Sequence, residues 1–132
     1  CMKKANEEGV IRTKLGRKCR FSMWEPKDFG IHTPETFENA SAKYGRNNIK
    51  RAFTYKALNR LIQGSAADQT KQALVVCRGE GFLPLLQIHD ELCFNVTEDD
   101  VQKIKRVMEG CVELNVPSVV DVALGSNFGE AT

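Results

Sequence analysis

The chain has 132 residues, 42% of them hydrophobic and 27% charged, which is the composition of one soluble globular domain and not of a disordered or fibrous chain. No apolar run reaches the roughly 20 residues that a membrane helix requires, and no secretory signal opens the chain, so a cytoplasmic setting and no membrane partner are expected. The formal charge of +2 conceals a division, because residues 1–60 carry 14 Lys and Arg against 6 Asp and Glu while residues 61–132 carry 5 against 11. That suits a protein that grips phosphates with one region and holds cations with the other, and equally a protein with two solvated faces of opposite sign.

The five cysteines (Cys1, Cys19, Cys77, Cys93, Cys111) are scattered and show no C-x-x-C spacing. With only His32 and His89 to join them, reduced thiols are expected rather than a zinc site. An opening Cys in place of Met points to a fragment or a processed chain. It is also the acyl acceptor that protein splicing requires directly after an excised intein.

In chain order, Met2 to Glu8 is polar and helix-compatible, with Gly9 as its stop. Val10 to Phe21 reads as a hairpin or extended basic loop around Gly16. Residues 22–47 are irregular, except that Thr33-Pro34-Glu35 resembles a cap followed by Pro at the first helical position and predicts a short helix to about Lys43. From Ile49 to about Arg78, apolar residues recur at three- and four-residue spacing, which predicts a long helix with a candidate irregularity at Gly64-Ser65.

The period then changes. Leu86, Ile88, Leu92, Phe94 and Val96 alternate with polar residues on both sides of Asp90-Glu91, predicting a hairpin over about 85–96 with acids at its tip. Thr97 with Glu98, Asp99 and Asp100 predicts the start of a second helix, over about 98–113. Residues 118–124 alternate and predict a third strand. The fold class expected is α+β: a small antiparallel sheet packed with a long helix and a second helix.

Three groups of residues could carry chemistry. His89-Asp90-Glu91 sets two carboxylates between strands, and such hard oxygen ligands suit Mg²⁺, which often takes only one or two from protein. Asp is also common in ordinary turns. Arg51, Tyr55, Asn59 and Gln63 are spaced four apart along the predicted helix. The amides of Asn59 and Gln63 could donate to the N3 and O2 acceptors of the DNA minor groove, or simply face water. Arg12, Lys14, Arg17, Lys18 and Arg20 place five cations in nine residues, enough to follow a phosphate backbone or to form a solvated loop.

Together these residues resemble the C-terminal palm of family A DNA polymerases, the group of bacterial polymerase I and many phage replicases. Gln63-Gly64-Ser65-Ala66-Ala67-Asp68, with Asn59 four residues earlier, is similar to that family's Q-G-(T/S)-A-A-D. Ile88-His89-Asp90-Glu91-Leu92 resembles V-H-D-E-(L/I), and Thr13-Lys14-Leu15-Gly16-Arg17-Lys18 resembles T-x-x-G-R-R. Asn115-Val116-Pro117 and Gly125-Ser126-Asn127-Phe128 are similar to the family's last strand and tail, although Trp is usual where Phe128 stands and Tyr55 occupies a position often basic.

The resemblance implies a C-terminal portion of a DNA-directed DNA polymerase. Asp90 is then a catalytic metal ligand, Glu91 assists through water, and His89 lies near the primer terminus. Asn59 and Gln63 meet the minor groove, Arg17 meets the backbone, and Arg51 joins the DNA-binding set. It further implies two Mg²⁺ ions in the complete enzyme, primer–template DNA and deoxynucleoside triphosphates as substrates, and a bacterial host cytoplasm if phage-encoded. An N-terminal polypeptide carries the second metal-binding Asp and the nucleotide-binding helix, without which these residues are inactive. By domain, 1–21 is a helix end and basic hairpin, 22–47 a variable insertion, and 48–132 the palm core. The alternative is a non-catalytic DNA-binding or structural remnant of a palm. A small metal-dependent nuclease is a third reading, but it lacks a second acidic cluster and a convincing general base.

Overall fold

The computed structural model describes residues 1–131. It divides into two compact units, Cys1–Ser65 and the residues from Ala66 onward, with the boundary inside the longest helix.

Unit 1 opens with helix α1 (Met2–Glu8), which ends at Gly9 in the left-handed conformation, φ 69°, where the Gly9 N–H returns to the Ala5 carbonyl. Strands β1 (Val10–Arg12) and β2 (Lys18–Arg20) pair antiparallel, with Ile11 opposite Cys19. The hairpin's inner positions join Ala5, Phe21 and Ala57 in the core of this unit, and Phe53 and Leu61 pack against that cluster. A helix that stops at Gly9 and a hairpin around Gly16 are both present, as expected.

The segment 22–47 is more ordered than its composition suggests. Strand β3 (Trp24–Pro26) pairs antiparallel with β4 (Ile49–Arg51), so the stretch that reads as the first turn of a long helix is instead a strand. Phe53 then takes a left-handed turn, φ 62°, and a 3-10 turn at Thr54–Lys56 leads into α3 (Ala57–Gly79). The helix predicted over 49–78 therefore starts eight residues late, because residues 49–51 satisfy their backbone groups through the ladder with β3.

Helix α2 (Phe37–Tyr44) is capped by Thr36, whose hydroxyl accepts from the Asn39 N–H, and not by Thr33. Glu35 explains the shift. It exchanges two backbone hydrogen bonds with Trp24, at 2.8 and 2.9 Å, which hold it in an extended bridge that a helix could not make. Trp24 then meets Phe37 edge to face with ring centroids 5.0 Å apart, a favoured aromatic geometry.

Helix α3 is unbroken through Gly64-Ser65; the Ser65 hydroxyl donates to the Leu61 carbonyl at 2.7 Å, so the candidate irregularity is absent. Gly64 has a packing reason instead, since a Cβ there would stand 3.1 Å from the Thr13 methyl of the hairpin.

In unit 2, β5 (Pro84–Ile88) and β6 (Glu91–Phe94) form the expected hairpin, with a bulge between Pro84 and Leu86. Helix α4 (Glu98–Gly110) follows Thr97. The Thr97 hydroxyl donates to the Asp100 carboxylate, and Lys103 pairs with it at 2.9 Å. Hydrogen bonds from Lys103 and then Thr97 hold Asp100 below the usual carboxylate range. The helix ends three residues before the predicted 113, near Cys111, whose thiol contacts the Met108 carbonyl at 3.0 Å.

The third strand predicted over 118–124 does not form: among the described residues each sheet has two strands, and residues 118–124 join none. Alternating side chains are only half of what a strand needs, the other half being a partner for its backbone groups. The Val120 N–H instead donates to the Glu109 carboxylate at 3.0 Å, and Ser118 bonds to Gln69. The architecture is α+β as expected, with three two-stranded antiparallel sheets in place of one.

Unit 2 buries few large side chains: Ala73, Cys77, Ile104 and Val112 are its buried apolar residues, while Leu83, Leu85, Leu86, Val119 and Leu124 are exposed. Burial pushes the thiols of Cys77 and Cys111 up, so both favour the unreactive protonated form.

Candidate functional site

The acidic site is built on a two-residue turn. Ile88 pairs with Glu91, leaving His89 and Asp90 as the turn itself. The ladder thus fixes Glu91 as the first residue of β6 and holds Asp90 beside it, both exposed. His89 takes φ 52°, a value at which a Cβ is strained and where hairpin turns commonly place Gly, Asn or Asp. The Gln87 side-chain amide donates to the His89 carbonyl at 3.2 Å and braces the turn.

Backbone strain of this kind concentrates at functional positions, because structure elsewhere must hold it. The strain has a direct test. His89→Val is expected to lower the stability of unit 2 by about 1–2 kcal/mol relative to His89→Gly, since a β-branched residue suffers most at positive φ. Equal thermal midpoints for the two variants would show the turn to be relaxed.

Asp90 and Glu91 are adjacent exposed carboxylates, the hard oxygen donors that magnesium takes. Among the described residues no group of three His, Cys, Asp or Glu converges as a complete ligand set. Mg²⁺ asks for less, taking one or two carboxylates and filling the rest of its shell with water and phosphate oxygens.

The DNA-facing candidates belong to unit 1. Asn59 and Gln63 lie one turn apart on α3, both exposed. Arg51, expected on the same helix, is in β4, and Tyr55 is in the 3-10 turn, so only Asn59 and Gln63 of the four-residue stripe are on the helix.

The Arg51 guanidinium has internal partners. Its Nε donates to the Asn6 carbonyl at 3.1 Å, one Nη donates to the Phe21 carbonyl at 2.9 Å, and its plane lies 4.6 Å from the Trp24 ring centroid. Gly9 completes the socket, because a Cβ there would fall 2.5 Å from Cζ of Arg51. Sequence reading named the arginine but not this clamp; the glycine at a helix stop and the lone tryptophan were its only traces.

Arg17 closes the cationic hairpin. Its backbone N–H donates to the Thr13 hydroxyl and its carbonyl accepts from the Thr13 N–H, both at 3.0 Å, while Gly16 supplies φ 89°. Thr13 is buried and pins the turn, a role that sequence reading did not assign. Arg12 faces Lys18 directly across the ladder and Val10 faces Arg20, so Arg12, Lys18 and Arg20 share the exposed face. Opposed like charges weaken a strand pair, which makes an external anion favourable here.

No helix among the described residues is long and apolar enough to cross a membrane. The chain is 38% identical over 132 residues to a DNA-directed DNA polymerase of Pseudomonas phage M6, covering 99% of this chain and 17% of that protein. It is 32% identical over 137 residues to DNA polymerase I of Pseudomonas aeruginosa, covering 96% and 13%. It is 33% identical over 109 residues to DNA polymerase theta of Drosophila melanogaster, covering 70% and 5%. The chain thus spans less than a fifth of the length of each of these relatives. With the acidic hairpin and the α3 motif in place, and with residues 1–130 matching the description DNA polymerase family A, the chain belongs to that family.

Proposed function

We propose that this chain is the C-terminal palm portion of a DNA-directed DNA polymerase, serving template-directed nucleotidyl transfer on primer–template DNA with deoxynucleoside triphosphates. The observation that carries the reading is the pair of exposed carboxylates, Asp90 and Glu91, held at a braced and strained hairpin turn in a chain of this family.

Asp90 is assigned as a direct metal ligand, Glu91 as a partner acting through water, and His89 as a neighbour of the primer terminus. Magnesium, when bound, supplies activation of a hydroxyl nucleophile and neutralises charge on the phosphates. Asn59 and Gln63 donate amide hydrogens to minor-groove acceptors that every base pair presents, which suits binding without sequence preference. Arg17 and the exposed cations of the hairpin offset backbone phosphate charge, an interaction that weakens as salt rises. Arg51 supports the hairpin through its clamp on Asn6, Phe21 and Trp24.

A further polypeptide is part of the proposal. One pair of carboxylates is only half of a two-ion centre, and Leu85 and Leu86 of β5, like Val119, Val122 and Leu124 further along the chain, are exposed apolar side chains suited to packing against more protein. Residues 1–132 by themselves are expected to incorporate no nucleotide, whereas the same residues joined or mixed with the remainder of such a polymerase extend a primer in Mg²⁺. Incorporation by the purified chain alone, abolished in Asp90→Ala, would contradict this. If the chain is phage-encoded, its setting is the cytoplasm of a bacterial host.

A further inference from the structure

Residues 27–32 form a loop whose tip the core does not explain. The neck is tied by the Trp24–Glu35 backbone pair and by Lys27, whose N–H donates to Asn48 and whose ammonium donates to the Asn47 carbonyl, each at 2.8 Å. At the tip, the Asp28 carboxylate accepts from the Gly30 N–H at 3.1 Å and pairs with His32 Nε2 at 2.5 Å. A Cβ on Gly30 would lie 2.5 Å from that His nitrogen, so glycine lets the pair close. The result is a braced tip that holds Phe29 and Ile31 wholly in water, at 108% and 105% of their reference exposure.

We propose that Phe29 and Ile31 are an apolar wedge that packs against unpaired bases of a DNA single strand adjoining the duplex. Charge selects this occupant. Residues 1–60 carry 14 Lys and Arg against 6 Asp and Glu; near the loop Glu35 is paired with Lys43 and Glu25 with Lys50, and Asp28 is held by its hydrogen bonds to Gly30 and His32. Lys27 and Arg46 have no carboxylate partner among the described residues. A polyanion is therefore drawn to this unit, while a neutral protein pocket could take the tip but would gain nothing from the surrounding cations.

Unpaired bases offer an aromatic face of any sequence on which Phe can stack, and apolar side chains such as Ile wedge against base steps. The braced tip lowers the ordering cost of that contact. The inference rests on the DNA-handling reading above and adds to it the strand state that is recognised.

The test compares the chain with its Phe29→Ala/Ile31→Ala double variant by fluorescence anisotropy on a blunt duplex, a primer–template with a single-stranded 5′ overhang, and a single-stranded oligonucleotide. The variant is expected to match the parent on the blunt duplex and to bind the overhang and single-stranded DNA about tenfold more weakly. The salt dependence stays the same because no cation is removed, and the melting temperature stays the same because neither side chain is buried. Undiminished affinity of the variant for the overhang DNA overturns the wedge while leaving the DNA reading standing. Failure of the parent to bind any of the three DNAs overturns the wedge together with the DNA contacts assigned to Asn59, Gln63 and Arg17.

Discussion

Asp90→Asn, introduced into a polymerase that contains this chain, is expected to lower the turnover of primer extension by about 10³-fold while leaving primer–template affinity within about threefold. The substitution keeps the size of the side chain and removes its charge. Asp90 is exposed in a turn, and surface changes of this kind alter stability by only about 0.5 kcal/mol. The loss must therefore come from chemistry. Removing a carboxylate that holds an ion against developing phosphate charge costs several kcal/mol in the transition state, and about 4 kcal/mol corresponds to roughly a thousandfold.

Glu91→Gln separates the two carboxylates. In the proposed role, in which Glu91 acts through water, it contributes less, and a loss of about tenfold is expected, with partial recovery at raised Mg²⁺. The two variants also decide between an enzyme and a remnant that kept only the fold. A remnant loses no activity with either change, and its binding to duplex DNA improves slightly as negative charge is removed. Steady-state kinetics on one primer–template, with affinity measured separately, gives both numbers.

What could be read from the sequence followed the length over which a pattern persists. Helix α3 and helix α4 repeat their apolar spacing over several turns, and the β5–β6 hairpin has alternation on both sides of an acidic turn, so all three are visible without coordinates. Strands β3 and β4 have three residues each, too few to show a period, and Ala52-Phe53 beyond them continues a helical spacing that the backbone does not follow. The cap of α2 moved from Thr33 to Thr36 because of a backbone bridge between Trp24 and Glu35, which no local propensity encodes. Residues 118–124 failed in the opposite direction, since alternation was present but no partner strand was.

The site divides along the same line. Asp90 and Glu91 could be placed at a hairpin tip because apolar strands flank them, yet the positive φ of His89 could not, because histidine stands where the turn favours Gly, Asn or Asp. Arg51 was the clearest misplacement. Its carbonyl partners lie 45 and 30 positions away in the chain, beyond the reach of any local spacing argument.

That geometry makes Arg51 a point where structural and DNA-contact roles predict opposite results. Two charged hydrogen bonds to backbone carbonyls are each worth about 1.5–3 kcal/mol where shielded, and stacking on an indole about 0.5–2. With the guanidinium partly open to solvent, Arg51→Ala is expected to destabilise unit 1 by about 2–3 kcal/mol. Arg51→Lys should recover little of this, because an ammonium cannot span both carbonyls and lie flat on Trp24 at once. Gly9→Ala should reproduce much of the loss from the other side of the socket, through its left-handed backbone and its crowding of the guanidinium.

If Arg51 instead served mainly as a phosphate contact, Arg51→Lys would behave like the parent. Arg51→Ala would then keep its melting temperature and show a shallower dependence of DNA affinity on salt. Thermal melts of the three variants, with salt titrations of duplex binding on the same preparations, separate the cases. An unchanged midpoint in Arg51→Ala would remove the clamp from the account. A lowered midpoint in both Arg51 variants would make the arginine the residue through which the α1 terminus, the end of the cationic hairpin and Trp24 are held together, and so a support for Arg17 rather than a second copy of its role.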